Sequence, residues 1–107
     1  MKVGVIGAGS LGTALSQTIS ENVDQLLLHV RKQELCDDIN NMGYNTHYYP
    51  NRKLNDNIKA TTDLNDLIDC EIIFLAIPSS AFRPTLKSLK EVISNDTILV
   101  TTAKGIE

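Results

Sequence analysis

The chain opens on a loop whose glycines carry chemistry by spacing alone. Gly7-Ala8-Gly9-Ser10-Leu11-Gly12 fits G-x-G-x-x-G. A glycine at the first position permits a tight turn, at the second it lets a ligand approach the backbone, and at the third it lets a helix pack closely on a strand. The chemistry is anion capture, in which free main-chain N–H groups at the positive end of a helix hold a diphosphate. Ser10 adds a hydroxyl donor to the same loop. No Gly-Lys-Ser/Thr follows, so the loop is not a P-loop.

A second position qualifies that chemistry. Sites that take NAD place Asp or Glu about 20 residues beyond the glycines, where the carboxylate accepts from a ribose 2′-hydroxyl. The count lands on Val30, Arg31 and Lys32, with no carboxylate. Two cations stand where a 2′-phosphate would lie, and a guanidinium grips phosphate bidentately. Cations are also unfavourable near a helix N-terminus, which argues for a functional reason. NADP(H) is therefore expected in preference to NAD(H), which stays open.

Two further segments leave strands at the edge where such ligands lie: Ile77-Pro78-Ser79-Ser80 and Thr102-Ala103-Lys104-Gly105. Lys104 is a candidate ligand for an anion or a carbonyl. His29 alternates within a strand and reads as a packed or surface imidazole, far from the nicotinamide end. His47, in a long loop, stands within reach of a ligand. No metal-ligand cluster is visible.

These residues need a sheet to hold them. Val3, Val5 and Ile6 make a first strand, and Leu11, Ala14, Leu15, Thr18 and Ile19 recur on one helical face. A strand over 26–30 precedes a helix of about 32–42 that stops at Gly43. Residues 43–57 break the rhythm with four Asn, three Tyr, a Gly and a Pro, an ordered loop longer than most connections. A brief strand at 58–60 follows, then a short helix capped by Asp63 and carrying Leu64, Leu67 and Ile68. The apolar run 72–77 reads as a strand buried on both faces. Phe82, Leu86, Leu89 and Ile93 mark a third helix, with Pro84 tolerated in its first turns, and 97–102 is the last strand. The alternation predicts right-handed crossovers and an open, doubly wound α/β sheet, mainly parallel, with strand order 3-2-1-4-5.

At 107 residues the chain fits one domain, 1–107, and its 42% hydrophobic content argues against disorder. A net charge of -3 leaves no basic surplus for nucleic acid. The longest apolar stretch falls well short of the roughly 18 residues of a membrane span, and no signal-peptide core precedes the glycines. Cys36 and Cys70 form no disulfide framework and read as lone thiols in a reducing cytosol.

Several segments carry a resemblance. Residues 3–15, Asn45-x-x-Tyr48-x-Pro50, Leu54-x-x-Asn57-Ile58-x-Ala60-Thr61-x-Asp63-Leu64, Ala76-x-Pro78-Ser79 and Lys104-Gly105-Ile106-Glu107 occur in this order. Together they resemble the N-terminal, Rossmann-type domain of NAD(P)-dependent glycerol-3-phosphate dehydrogenase, over the whole chain. The resemblance implies hydride transfer between dihydroxyacetone phosphate and sn-glycerol 3-phosphate, in the cytoplasm, for phospholipid synthesis. It implies that Gly7, Gly9, Ser10, Leu11 and Gly12 meet the cofactor phosphates, that Arg31 and Lys32 address the adenosine ribose, and that Tyr48 and Pro78 lie on the cofactor side. Lys104 would contact cofactor and substrate. Leu11 departs from the aromatic residue usual in the family. The family's catalytic lysine and its phosphate-binding Arg-Asn pair belong to a helical C-terminal domain outside these residues, so the chain is expected to bind cofactor without turnover. Two other readings share the fold: the nucleotide domain of a related hydroxyacid, sugar-nucleotide or imine reductase, and a stand-alone module sensing NAD(P). An open sheet edge leaves room for a homodimer.

Overall fold

The computed structural model describes residues 1–101. Five parallel strands form one sheet: β1 (Lys2–Ile6), β2 (Gln25–His29), β3 (Ile58–Thr61), β4 (Ile72–Leu75) and β5 (Ile98–Thr101). Their order is β3-β2-β1-β4-β5, as the alternation predicted. Three helices connect them, α1 (Ser10–Ser20), α2 (Gln33–Met42) and α3 (Ser79–Lys90), with a 3₁₀ turn at Leu64–Leu67. Asp63 caps that turn by accepting from the Asn65 N–H at 2.9 Å.

The register decides where ligands can go. Ile6 lies beside His29 on one side and Leu75 on the other, so the chain leaves β1, β2 and β4 at one edge. Strand order reverses between β1 and β4, and such a reversal opens a crevice above the strand ends. Each face of the sheet has its own core. Val5, Leu26, Leu28 and Val30 pack with Leu35, Cys36 and Ile39 of α2. Ile6, Leu27, Ile73 and Leu75 pack with Leu67 and Leu89 on the other face.

Two expectations need correction. β4 is not buried on both faces: Ile73 and Leu75 are buried, while Ile72 and Phe74 are only half-buried. α1 and α2 pack mainly over β1–β3 on that face; Phe74 of β4 meets their core only in part, and Ile98 of β5 is 58% exposed. α1 also turns a different side inward. It buries Gly12, Thr13, Ser16, Gln17 and Ser20, while Leu11 and Thr18 are exposed and Ala14, Leu15 and Ile19 half-buried.

The reason is the 43–57 loop, which docks on α1 through polar groups. Gln17 Nε2 donates to the Lys53 carbonyl (3.4 Å) and to Asn55 Oδ1 (3.3 Å), and Gln17 Oε1 accepts from the Asn55 N–H (2.9 Å). Asn55 Nδ2 reaches Ser20 Oγ at 2.8 Å, and Asn57 Nδ2 reaches the carbonyls of Ser20 (2.8 Å) and Val23 (3.0 Å). A net worth of about 1 kcal/mol per bond suffices for several such bonds to outweigh burying one leucine.

Candidate dinucleotide-binding site

A cavity of about 510 Å³ opens above the strand ends, within the usual range for small-molecule sites. The glycine loop forms its floor. Gly7 holds φ +112°, and a Cβ there would lie 2.2 Å from the Ala76 carbonyl oxygen, so the turn needs glycine. A Cβ at Gly12 would lie 1.7 Å from the Gly7 carbonyl oxygen, so the third glycine serves the loop's own close packing as well as the helix. At Gly9 a Cβ would meet nothing within 4 Å. That open space is where a ligand can come against the backbone.

α1 begins here without a side-chain cap and without an acidic residue in its first turn. Its first N–H groups are thus left to bind an anion. Arg31 and Lys32, just beyond β2, line the cavity and are exposed. No Asp or Glu lines it among the described residues. The chain is acidic overall, yet this cavity presents cations, the arrangement that draws an anionic ligand.

His29 also lines the cavity, beside Arg31; it is half-buried, and its carbonyl accepts from the Gly7 N–H at 3.2 Å. Burial holds its imidazole below the usual pKa, against opposing effects from the Thr62 backbone and Asp63. His47 and Tyr48 reach the cavity from the loop, with ring centroids 6.4 Å apart. Pro78 lines the cavity and immediately precedes α3. Ser10 and Leu11 are exposed at the start of α1 and Gly12 is buried beneath the loop; none of the three lines the cavity itself. Lys104 lies outside the described residues.

Sequence reasoning missed the apolar wall of Leu64, Ala81 and Thr85. Ala81 and Thr85 are four apart on α3, a spacing that places them on one flank, but the neighbouring stripe of larger side chains masks that signal. It also gave no role to Asn45, a residue of the 43–57 loop that is fully buried. A second hollow of about 430 Å³ lies at the opposite edge, lined by Asp69, Glu71 and Asp96 with Ile68 and Ile98. It has carboxylates and no glycine loop, so it does not suit a diphosphate. Burial pushes the Cys36 and Cys70 thiols up, away from the reactive thiolate.

The family described as NAD-dependent glycerol-3-phosphate dehydrogenase N-terminus matches residues 2–107. The glycerol-3-phosphate dehydrogenase [NAD(P)+] of Exiguobacterium sp. is 43% identical over 106 residues, covering 98% of this chain and 31% of the relative. The chain thus spans about a third of the length of the curated relatives it matches. Among solved structures, the glycerol-3-phosphate dehydrogenase of Saccharomyces cerevisiae aligns with a TM-score of 0.88 at 28% identity, over 94% of this chain and 33% of that one. The arogenate dehydrogenase of Synechocystis aligns with a TM-score of 0.75 at 30% identity, over 96% and 33% of the two chains.

Proposed function

The chain belongs to the family of NAD-dependent glycerol-3-phosphate dehydrogenase N-termini, and from that membership we propose that residues 1–107 form the cofactor-binding domain of an enzyme interconverting dihydroxyacetone phosphate and sn-glycerol 3-phosphate. The step would supply glycerophospholipid synthesis in the cytoplasm. When bound, the nicotinamide nucleotide carries the hydride. The chain's own residues bind and orient. The α1 N–H groups hold the diphosphate over Gly9, aided by Ser10. Arg31 grips a 2′-phosphate with its planar fork, Lys32 adds a point charge, and NADP(H) is favoured over NAD(H). Tyr48 and Pro78 flank the nucleotide, Leu64 and Ala81 offer a flat apolar wall to the adenine, and Lys104 touches cofactor and the phosphorylated triose. Proton transfer falls to residues beyond this chain, so the chain binds without turnover. The β5 edge is where a second copy would pair.

One observation carries this reading: an uncapped helix N-terminus behind open space at Gly9, faced by two cations and no carboxylate. Equilibrium titration with NADPH and NADH tests it. The chain is expected to bind NADPH more tightly by about tenfold or more, the worth of a charged, bidentate contact. Arg31→Asp is expected to erase or invert that preference, and an unchanged ratio refutes the assignment. Reduction of dihydroxyacetone phosphate by the chain alone would refute the division of labour.

A further inference from the structure

We propose that Asn45 is a positioning residue for nucleotide binding: it clamps the turn carrying His47 and Tyr48 onto the Ala8 carbonyl, fixing both the reach of the loop and the aim of the Gly9 N–H. The proposal rests on the cofactor reading above and concerns how that site is held ready.

Asn45 is fully buried, and every hydrogen-bonding position of its side chain is used. Its Nδ2 donates to the Ala8 carbonyl at 3.0 Å and to Thr13 Oγ1 at 2.7 Å. Its Oδ1 accepts from the His47 and Tyr48 N–H groups, both at 3.1 Å. The Thr13 hydroxyl donates its own hydrogen bond to the Ala8 carbonyl at 3.2 Å, and Thr13 too is fully buried. This pattern fixes which end of the amide is nitrogen, because the reverse orientation would set NH₂ against two backbone donors. An apolar side chain of this size leaves the His47 and Tyr48 N–H groups without this acceptor and leaves the Ala8 carbonyl with the Thr13 hydroxyl alone.

The consequence reaches the ligand through one peptide plane. No cis peptide occurs among the described residues, so the Ala8 C=O and the Gly9 N–H point in opposite directions. Two donors hold that carbonyl toward α1 and the loop, and the Gly9 N–H therefore points the other way. Ala8 and Gly9 both line the cavity, as do His47 and Tyr48. One buried amide thus ties together the phosphate loop and the loop that approaches it from across the cavity.

The other leg of the 43–57 loop supplies an internal control. Asn57 bonds the carbonyls of Ser20 and Val23 at the far end of α1, and none of these residues lines the cavity. Losing that clamp should loosen the fold without touching the site.

The test compares Asn45→Ala, Asn45→Asp, Thr13→Val and Asn57→Ala by NADPH affinity, thermal midpoint and amide hydrogen exchange in the ligand-free chain. Asn45→Ala is expected to weaken NADPH binding by about tenfold and to expose the His47 and Tyr48 amides to exchange. Asn45→Asp keeps an acceptor oxygen for both amides but loses the donors to Ala8 and Thr13, so those amides stay protected while affinity still falls. Thr13→Val, nearly isosteric, is expected to cost about threefold. Asn57→Ala lowers the midpoint with affinity within about twofold. Folded Asn45 variants that bind NADPH like the parent overturn the proposal, as does an Asn57→Ala loss equal to that of Asn45→Ala. A parent chain that leaves NADPH unbound overturns the cofactor reading itself, and unchanged exchange at His47 and Tyr48 in Asn45→Ala overturns the clamp independently.

Discussion

α1 and α3 cover opposite faces of the same sheet by opposite means. α3 seats Leu89, fully buried, with Phe82 and Leu86 beside it, against Leu67, Ile73 and Leu75. α1 presents Thr13, Ser16, Gln17 and Ser20 and engages its neighbours through directional bonds. Apolar contact is strong, undirected and tolerant of small shifts. A hydrogen-bonded seam is weaker per contact but fixes relative position within tenths of an ångström. The glycine-loop side of the cavity rests on the second kind of seam, through Asn45 and the Ala8 carbonyl, while Ala81 and Thr85 of α3 line the other side. The α1 seam therefore contributes placement and the α3 seam burial, although each face of the sheet keeps an apolar core.

Substitutions can break or sharpen that division. The largest effect is expected from Leu89→Ala, which should lower unfolding free energy by about 2–5 kcal/mol while leaving NADPH affinity of the folded protein unchanged. Chemical denaturation paired with a nucleotide titration measures both; a parallel loss of affinity would merge the two roles. Gly9→Ala inverts the pattern. Its φ of -74° suits any residue and its Cβ meets no atom within 4 Å, so stability should change by about 1 kcal/mol or less while NADPH binding is lost. Retained affinity in Gly9→Ala would place the diphosphate elsewhere. The smallest effect belongs to His29. Burial lowers its pKa below 6.5, so the unfolded chain takes up the proton first. Its contribution to stability is present above about pH 6.5 and drains as pH falls through the lower folded value. Thermal midpoints across that window should slope in the parent and flatten in His29→Gln.

Much of this was legible in the residues. Strand order followed from alternation and handedness, and the three glycines named their own tasks, with φ +112° at Gly7 and open space at Gly9 as the spacing required. Asp63 behaved as the cap its position suggested. Periodicity failed at α1, since it finds apolar stripes and is blind to a buried face made of Thr, Ser and Gln. The partners of that face lie more than 30 residues away, in Asn45, Asn55 and Asn57, and a local pattern holds no trace of such pairings. The run at 72–77 failed for the converse reason. Its composition suits burial on two sides, but the neighbouring helices shelter only one of them fully.

The 43–57 strap also owns every tyrosine of a tryptophan-free protein: Tyr44, Tyr48 and Tyr49. Tyr48 is 51% exposed at the cavity rim, and the other two are half-buried in the same strap. The tyrosine absorption and emission of the chain are consequently a private channel for this one segment. Quenching, polarisation or circular dichroism of the native chromophores reports its movement, with no dye and no engineered probe.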